Sequence, residues 1–391
     1  MMALDFCGIS KGLSDYARQL RKRLALRKEG QGFDYTGDNW RRRVEKIVDR
    51  IHPEKMHLRL NEIIDETLSA RTLRFIREDA ALPPFRAGQY VNLYIEIDGV
   101  ITSRAYSISS PPGLAYIDLT IRRKQNGFVS NYLLDRAGIG DRFVSSGPAG
   151  QFYYEPLLNS NELVFIAGGS GITPFMSILL DFKSRNWPVK THLIYGSRVL
   201  DDVIFKDKLN ELSWDNTQLN YALALTEASE DFPVTGFISA DLIRAHVGDL
   251  SDKTFMICGP NAMYDFVLKQ LEHLGVPQHK IKRELYGPPE HVETEAGWPE
   301  NVKATDCFEI EVVGQKKITA SAGEPLLNSL ERNGLKVRSL CRSGECSYCR
   351  AKLVSGRVFM PAHTGLREAD RNFGYIHTCV AYPLSNMKIK L

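Results

Sequence analysis

Cys341-Arg-Ser-Gly-Glu-Cys346-Ser-Tyr-Cys349 sets three cysteines within nine residues, and Cys379 follows thirty residues after the last of them. The spacing, C-x4-C-x2-C and then a distant cysteine, is the ligand pattern of a plant-type 2Fe–2S cluster. Two irons need four thiolates. A tight loop can hold three, and a strand or turn closing over it can bring the fourth. Gly344 lies inside the loop, where a chain wrapping a cluster needs permissive dihedrals and close backbone approach. Ser343 and Ser347 are small, which leaves backbone N–H groups free to point at sulfur. A structural zinc site usually pairs two C-x2-C knuckles, and only one such pair is present. Cys341, Cys346, Cys349 and Cys379 are therefore the expected metal ligands. The rest of the chain must then supply the electron.

A chain of 391 residues has room for two or three domains at about 100–200 residues each. Its hydrophobic share of 43% and charged share of 25% are those of a soluble globular protein. The net charge of +3 is unevenly spread. Residues 1–55 carry 13 Lys/Arg against 8 Asp/Glu, and residues 303–391 carry 14 against 8, so the middle is acidic. No nucleic-acid partner is expected. Outside the cluster pattern stand Cys7, Cys258 and Cys307. An odd remainder argues against a disulfide framework, and thiolate ligands suit a reducing compartment. The first residues show no apolar signal core, and no stretch approaches the roughly 20 apolar residues of a membrane span. The expectation is a cytoplasmic protein without a transmembrane segment.

Residues 1–53 read as a helical extension. Leu13, Tyr16, Leu20 and Leu24 share a face, with Arg18, Arg21, Lys22, Arg23, Arg27 and Lys28 around them. After Gly30 and Gly32, Asp38 can cap a second helix with the stripe Trp40, Val44, Ile47, Val48 and Ile51, ended by Pro53. These helices can pack on the body of the protein, and the basic first helix can also make surface contacts with a membrane or partner. Residues 54–156 read as short strands with Gly/Pro punctuation, an antiparallel β-barrel pattern. Residues 157–287 alternate apolar strands with helices, the pattern of a doubly wound parallel α/β sheet. Residues 288–302, with Pro288, Pro289, Pro299 and four glutamates, read as a linker that buries little. Residues 303–391 hold a hairpin, a helix over Pro325–Asn333, the cysteine loop and terminal strands.

Four further stretches carry chemistry. In Arg104-Ala-Tyr-Ser107, the period of a strand puts Arg104 and Tyr106 on one side, a cation and an aromatic wall such as a flavin nucleotide requires. Gly127-Phe-Val-Ser130 can offer a helix N-terminus to a phosphate. Gly168-Gly-Ser-Gly171 joins a strand to a helix with Pro174 in its first turn. It is a phosphate-cradling arrangement, although not the G-x-G-x-x-G fingerprint. Cys258-Gly259-Pro260 ends another strand at the same carboxyl edge, where open α/β sheets bind ligands.

Arg-x-Tyr-Ser, Gly-Gly-x-Gly-Ile-Thr-Pro, Tyr195-Gly-Ser-Arg198, Cys-Gly-Pro and the cysteine loop together resemble the ferredoxin-NADP reductase superfamily with a C-terminal plant-type ferredoxin. The likeness is to oxygenase reductases of the phthalate dioxygenase reductase and phenylacetyl-CoA epoxidase reductase type, and it covers about residues 54–391. It implies a flavin barrel, a nicotinamide domain and a β-grasp ferredoxin domain. It implies Arg104, Tyr106 and Ser107 on the flavin, with Gly127 and Ser130 near its phosphates. It sets Gly169, Ser170, Gly171 and Thr173 on the nicotinamide nucleotide's pyrophosphate, and Cys258, Gly259 and Pro260 near the nicotinamide. Glu284-Leu-Tyr286 resembles the Glu-x-aromatic end of such modules, which sets Tyr286 near the flavin ring. Cys258, Glu284 and Tyr286 are the candidate catalytic residues. Ser130 followed by Asn131-Tyr-Leu-Leu looks more like FAD-binding members, and FMN stays open.

A nicotinamide gives two electrons as hydride, whereas a 2Fe–2S cluster takes one at a time, and a flavin, stable in three redox states, mediates. The expected function is an NAD(P)H-dependent reductase that passes electrons through flavin and cluster to a separate acceptor protein, such as an oxygenase or an anaerobic redox enzyme. The alternatives are a self-contained reductase of free flavins, quinones or ferric chelates, and a redox-sensing module. Arg198 is a candidate for the 2′-phosphate of NADPH, but the acidic strand end Leu225-Thr-Glu-Ala-Ser-Glu-Asp231 would repel it, so NADH is favoured. Arg338, Arg342, Arg350 and Arg357 around the loop suggest docking of the acceptor there.

Overall fold

The computed structural model describes residues 17–22, 24, 38–215, 217–227, 236–362 and 364–391. They fall in two compact units, Met1–Pro53 and Glu54–Leu391. In the first, residues 17–22 are helical and a second helix spans Asp38–Ile51. It ends just before Pro53, which cannot continue a helix. Most of the first expected helix, and the glycines after it, lie outside the described residues.

The second unit opens with six antiparallel strands: β1 (Met56–Thr67), β2 (Ala70–Arg77), β3 (Tyr90–Ile97), β4 (Val100–Ser107), β5 (Tyr116–Arg122) and β6 (Arg142–Ser145). Their order is β4-β3-β6-β1-β2-β5. Met56, Leu58 and Leu60 alternate inward along β1, the period-two signature of a strand with one buried face. Register shifts between Leu60 and Glu62 and between Asp65 and Thr67 bend it, as bulges do. Beyond β4, Ile108 bridges Leu119 of β5, so the two outer strands meet and the sheet curls into a barrel. The Phe128–Asp135 helix drops Val129, Leu133 and Leu134 into its core.

Five parallel strands follow: β7 (Glu162–Gly168), β8 (Lys190–Ser197), β9 (Leu219–Leu225), β10 (Thr254–Gly259) and β11 (Ile281–Leu285), in the order β11-β10-β7-β8-β9. Leu163, Phe165 and Ala167 of β7 share a core with Phe175 and Phe182 of the Ile172–Arg185 helix. Val164 and Ile166 share the other core with Ile243 and Tyr264, from helices on the opposite face. A strand covered on both faces must be apolar throughout, which is why its sequence reads as an unbroken run.

The last sheet joins β12 (Cys307–Val312), β13 (Lys317–Ser321), β14 (Arg350–Ser355), β16 (Tyr375–His377) and β18 (Met387–Lys390) in the order β13-β12-β18-β14-β16. A two-stranded ribbon pairs β15 (Val358–Phe359) with β17 (Tyr382–Pro383). The β12–β18 pair is parallel and the other pairs of the sheet are antiparallel. Leu326 and Leu330 of the Leu326–Arg332 helix seat in its core. The 288–302 segment is less loose than its composition suggests. Val292 is 1% exposed and clusters with Phe359 and Tyr382, and Trp298 stacks edge-on against Phe359. A few apolar residues, spaced irregularly among prolines and glutamates, anchor it.

Candidate redox site

Three strand ends converge. Ser107 closes β4, Cys258 is the penultimate residue of β10, and Glu284 pairs with Cys258 across the parallel ladder. Tyr286 follows β11. Its hydroxyl lies 2.8 Å from Ser107 Oγ and 3.3 Å from Thr173 Oγ1, and Ser107 Oγ donates to Glu284 Oε2 at 3.4 Å. Cys258 is fully buried beside Tyr286, and burial pushes its thiol pKa well up. Burial and the nearby Glu345 also push the Glu284 carboxyl well above its ordinary range, with the Ser107 hydrogen bond opposing them. The site therefore gathers a thiol, a carboxyl and hydroxyls where burial disfavours their charged forms. A dry setting of that kind suits hydride transfer, in which solvent protons must be kept out.

The glycine turn is built by close approach. A side-chain carbon on Gly171 would sit 2.0 Å from the Cys258 carbonyl oxygen and 2.7 Å from Gly259 Cα, so β7 and β10 can end side by side only without it. Gly169 takes φ +51°, a conformation that suits glycine. Its carbonyl accepts from the Tyr195 hydroxyl (2.9 Å), and Thr173 Oγ1 donates to the Ser170 carbonyl (3.0 Å). Pro260 leads directly into the Asn261–His273 helix. Arg122, which sequence reasoning missed, reaches this turn from the barrel. Its Nη1 lies 2.5 Å from where a Gly169 side chain would begin, and its guanidinium pairs with Asp202 of the neighbouring domain. The local sequence Arg122-Arg123-Lys124 marks a basic turn but not which cation faces the glycines. Arg198 is exposed and pairs with Glu227 at 3.5 Å. The rest of the acidic stretch, residues 228–231, lies outside the described residues.

Arg104 tests the flavin assignment. It is half-buried in β4, and its Nη1 donates to two neutral oxygens, Thr102 Oγ1 (3.0 Å) and the Ser103 carbonyl (2.7 Å). Burial, helped by the charge of Arg342, pulls its pKa down to about 10. A half-buried cation with neutral hydrogen-bond partners calls for an anion, and a flavin nucleotide phosphate fits. Tyr106 points along the same side and packs against the barrel core. Gly127 caps the Phe128–Asp135 helix with no side-chain cap, which leaves the first N–H groups available. A side-chain carbon there would meet Ser130 Oγ at 2.3 Å, so the pair forms one tight corner.

The cysteine loop folds as its spacing requires. Cys341 Sγ accepts from the backbone N–H of Ser343 (3.5 Å) and Cys346 (3.4 Å), and Cys349 Sγ lies 3.2 Å from Cys379 Sγ. Among the described residues no three such side chains close on a single point. Cys341 also reaches Cys346 and Cys379, so the four thiols lie close together, a donor set that fits a 2Fe–2S cluster. Gly344 takes φ +85°, and a side chain there would strike Val380 at 2.9 Å. His377 braces the loop between the Gly344 carbonyl (2.8 Å) and Ser347 Oγ (3.0 Å). Arg342 departs from expectation. It is 6% exposed and is bound by Glu331 at 2.6 and 3.0 Å, so it is not part of an outer docking surface.

Comparisons with known proteins agree with this geometry. Residues 57–154 match the oxidoreductase FAD-binding domain, 165–269 the oxidoreductase NAD-binding domain and 310–384 the 2Fe-2S iron-sulfur cluster binding domain. The NADH oxidoreductase HCR of Escherichia coli is 30% identical over 334 residues, 84% of this chain and 96% of its own length. The glycine betaine monooxygenase reductase subunit of Chromohalobacter salexigens is 27% identical over 349 residues, 85% of this chain and 95% of its own. The solved structure of phthalate dioxygenase reductase superposes with a TM-score of 0.66 at 20% identity, covering 86% of this chain and 98% of that one. The chain belongs to the family of ferredoxin-reductase-like FAD- and NAD-binding reductases with a C-terminal 2Fe–2S ferredoxin domain. It is an NAD(P)H-dependent oxidoreductase in which electrons pass from NAD(P)H through FAD to the cluster.

Proposed function

We propose that this chain is the reductase component of a multicomponent oxygenase and hands its electrons to a separate oxygenase protein. One observation carries the reading: the cluster loop adjoins the buried site and also reaches solvent. Tyr90, beside Glu284, lies within electrostatic reach of Cys341 and Cys346, while Tyr348 in the same loop is 40% exposed. A relative named as a monooxygenase reductase subunit supports the choice of acceptor. Bound FAD supplies the conversion between two-electron and one-electron chemistry. Arg104, Tyr106, Ser107, Gly127 and Ser130 would hold it. Gly169, Ser170, Gly171 and Thr173, with Arg122, would hold the nucleotide's pyrophosphate. Cys258, Gly259, Pro260, Glu284 and Tyr286 would enclose the reacting rings, and Cys341, Cys346, Cys349 and Cys379 would ligate the irons. The Arg198–Glu227 pair favours NADH, because Glu227 both occupies the cation and repels a 2′-phosphate.

The domain limits we assign are 54–156, 157–287 and 303–391, joined by 288–302. Among the described residues no helix is long and apolar enough to cross a membrane. Thiolate ligands suit a reducing compartment, which supports a cytoplasmic protein. The test mixes the purified chain, NADH and the oxygenase components of its own host without oxygen. Rapid reduction of one oxygenase metal centre is expected, and Cys346→Ser should abolish it. Equal reduction of free flavin, quinone or ferric chelate by wild type and Cys346→Ser, with no oxygenase reduced, would favour the self-contained reductase.

A further inference from the structure

Between the barrel and the ferredoxin domain runs a buried polar seam that the reductase chemistry does not itself require. Arg104 Nη1 donates to Thr102 Oγ1 (3.0 Å), and Thr102 Oγ1 donates to Glu331 Oε2 (2.8 Å). Glu331, on the Leu326–Arg332 helix, grips the guanidinium of Arg342 with both oxygens (2.6 and 3.0 Å). Arg342 directly follows the cluster ligand Cys341. A second row lies alongside. Asn92 Nδ2 donates to Ser103 Oγ (3.0 Å) and to the Ser339 carbonyl (2.9 Å), and the Ser103 and Ser339 hydroxyls are 3.0 Å apart. Thr102, Ser103, Asn92, Glu331, Ser339 and Arg342 are all buried.

We propose that Thr102 and Glu331 are positioning residues for internal electron transfer, locking the cluster loop to the strand that carries Arg104. The charges explain the choice of residues. Arg104 and Arg342 repel each other, and a carboxylate bound to the buried Arg342 eases that repulsion while leaving the half-buried Arg104 free for an anion. Glu331 is that carboxylate, and the Thr102 hydroxyl is its hold on the barrel. Because a hydroxyl donates along one direction, the seam fixes orientation as well as contact. Two electrons arrive with each hydride and leave across the seam singly, the flavin losing one and the cluster gaining one at each crossing. Rate then depends on how constantly the two sites are held.

The proposal rests on the reading that puts flavin at Arg104, and Arg104→Ala tests that reading separately through flavin retention. For the seam, Thr102→Val keeps the shape and removes the hydroxyl. In the full-length holoprotein, stopped-flow should show unchanged flavin reduction by NADH, with unchanged flavin content and cluster spectrum. The flavin-to-cluster step should slow on the order of tenfold, since small misplacements carry large rate costs. Amide exchange over residues 92–104 and 328–342 should quicken, and Thr102→Ser should restore both. Glu331→Gln, which keeps the size and loses the charge, should show the same split. If Glu331→Gln fails to fold, Thr102→Val decides alone. An unchanged flavin-to-cluster rate overturns the proposal whether or not exchange quickens, because a looser seam alone would mean ordinary interdomain packing. Loss of flavin from Thr102→Val also overturns it, since the hydroxyl would then serve the flavin site.

Discussion

Single residues decide which electrons move. Replacing Cys346 by Ser removes one of the four proposed thiolate ligands, so cluster absorbance should vanish while flavin and its reduction by nicotinamide persist. Normal iron content in that variant would refute the ligand set. Tyr286 joins Ser107 and Thr173 through its hydroxyl, so Tyr286→Ala should change nucleotide affinity or hydride-transfer rate on the order of tenfold, about 1.4 kcal/mol. Glu284 offers a pH test. Its folded-state pKa is raised by burial above the ordinary 4.5, so the folded state holds a proton that the unfolded chain releases. That stability is full below about 4.5 and declines as pH rises through the higher folded value. Glu284→Gln should flatten this decline with rising pH in thermal unfolding, and an unaltered slope would mean another group titrates.

At the level of elements, glycine turns and cysteine spacing were readable because their constraints are local. A strand that must end beside another strand, with a backbone turn between, needs glycine at Gly169 and Gly171 whatever the rest of the chain does. Gly171→Ala should therefore cost about 1–3 kcal/mol of overpacking and weaken nucleotide binding, measured by denaturant titration and nucleotide titration together. The barrel and the doubly wound sheet were readable for a related reason, since their strands repeat at period two or run apolar throughout. Arg342 was misread because its surroundings are tertiary. Glu331 lies 11 residues upstream and Ser103 lies 239 away, and neither distance leaves a pattern in the sequence. Arg122 escaped notice likewise, as its partner Asp202 is 80 residues on. Residues 288–302 read as a plain linker because the apolar anchors Val292 and Trp298 fall among prolines and glutamates without a run that marks a helix or strand.

For the whole molecule, the question is where electrons leave. With Arg342 turned inward, the arginines of the expected docking set that remain on the outside are Arg338, which lies over the Tyr348 ring at 6.0 Å, Arg350 and Arg357. Arg350 is partly neutralised by Asp370 at 2.7 Å, whereas Arg338 and Arg357 are exposed. The domain has six more basic than acidic side chains over residues 303–391, so an acceptor that docks near the loop should present an acidic face. Complementary charge acts chiefly on encounter rate and is screened once ions crowd within about 8–10 Å. Delivery to the oxygenase should therefore slow several-fold between low and physiological salt, while flavin reduction by NADH, a small-molecule event at a buried site, should change far less. Arg338→Glu should reproduce the high-salt rate at low salt, with cluster content intact because Arg338 precedes the loop and contacts no ligand thiol by hydrogen bond. Arg342→Glu would be the wrong probe, since it would set two carboxylates against each other in the seam. If delivery ignores both salt and Arg338→Glu, the acceptor docks elsewhere, and the basic helical extension before Glu54 is the next surface to truncate.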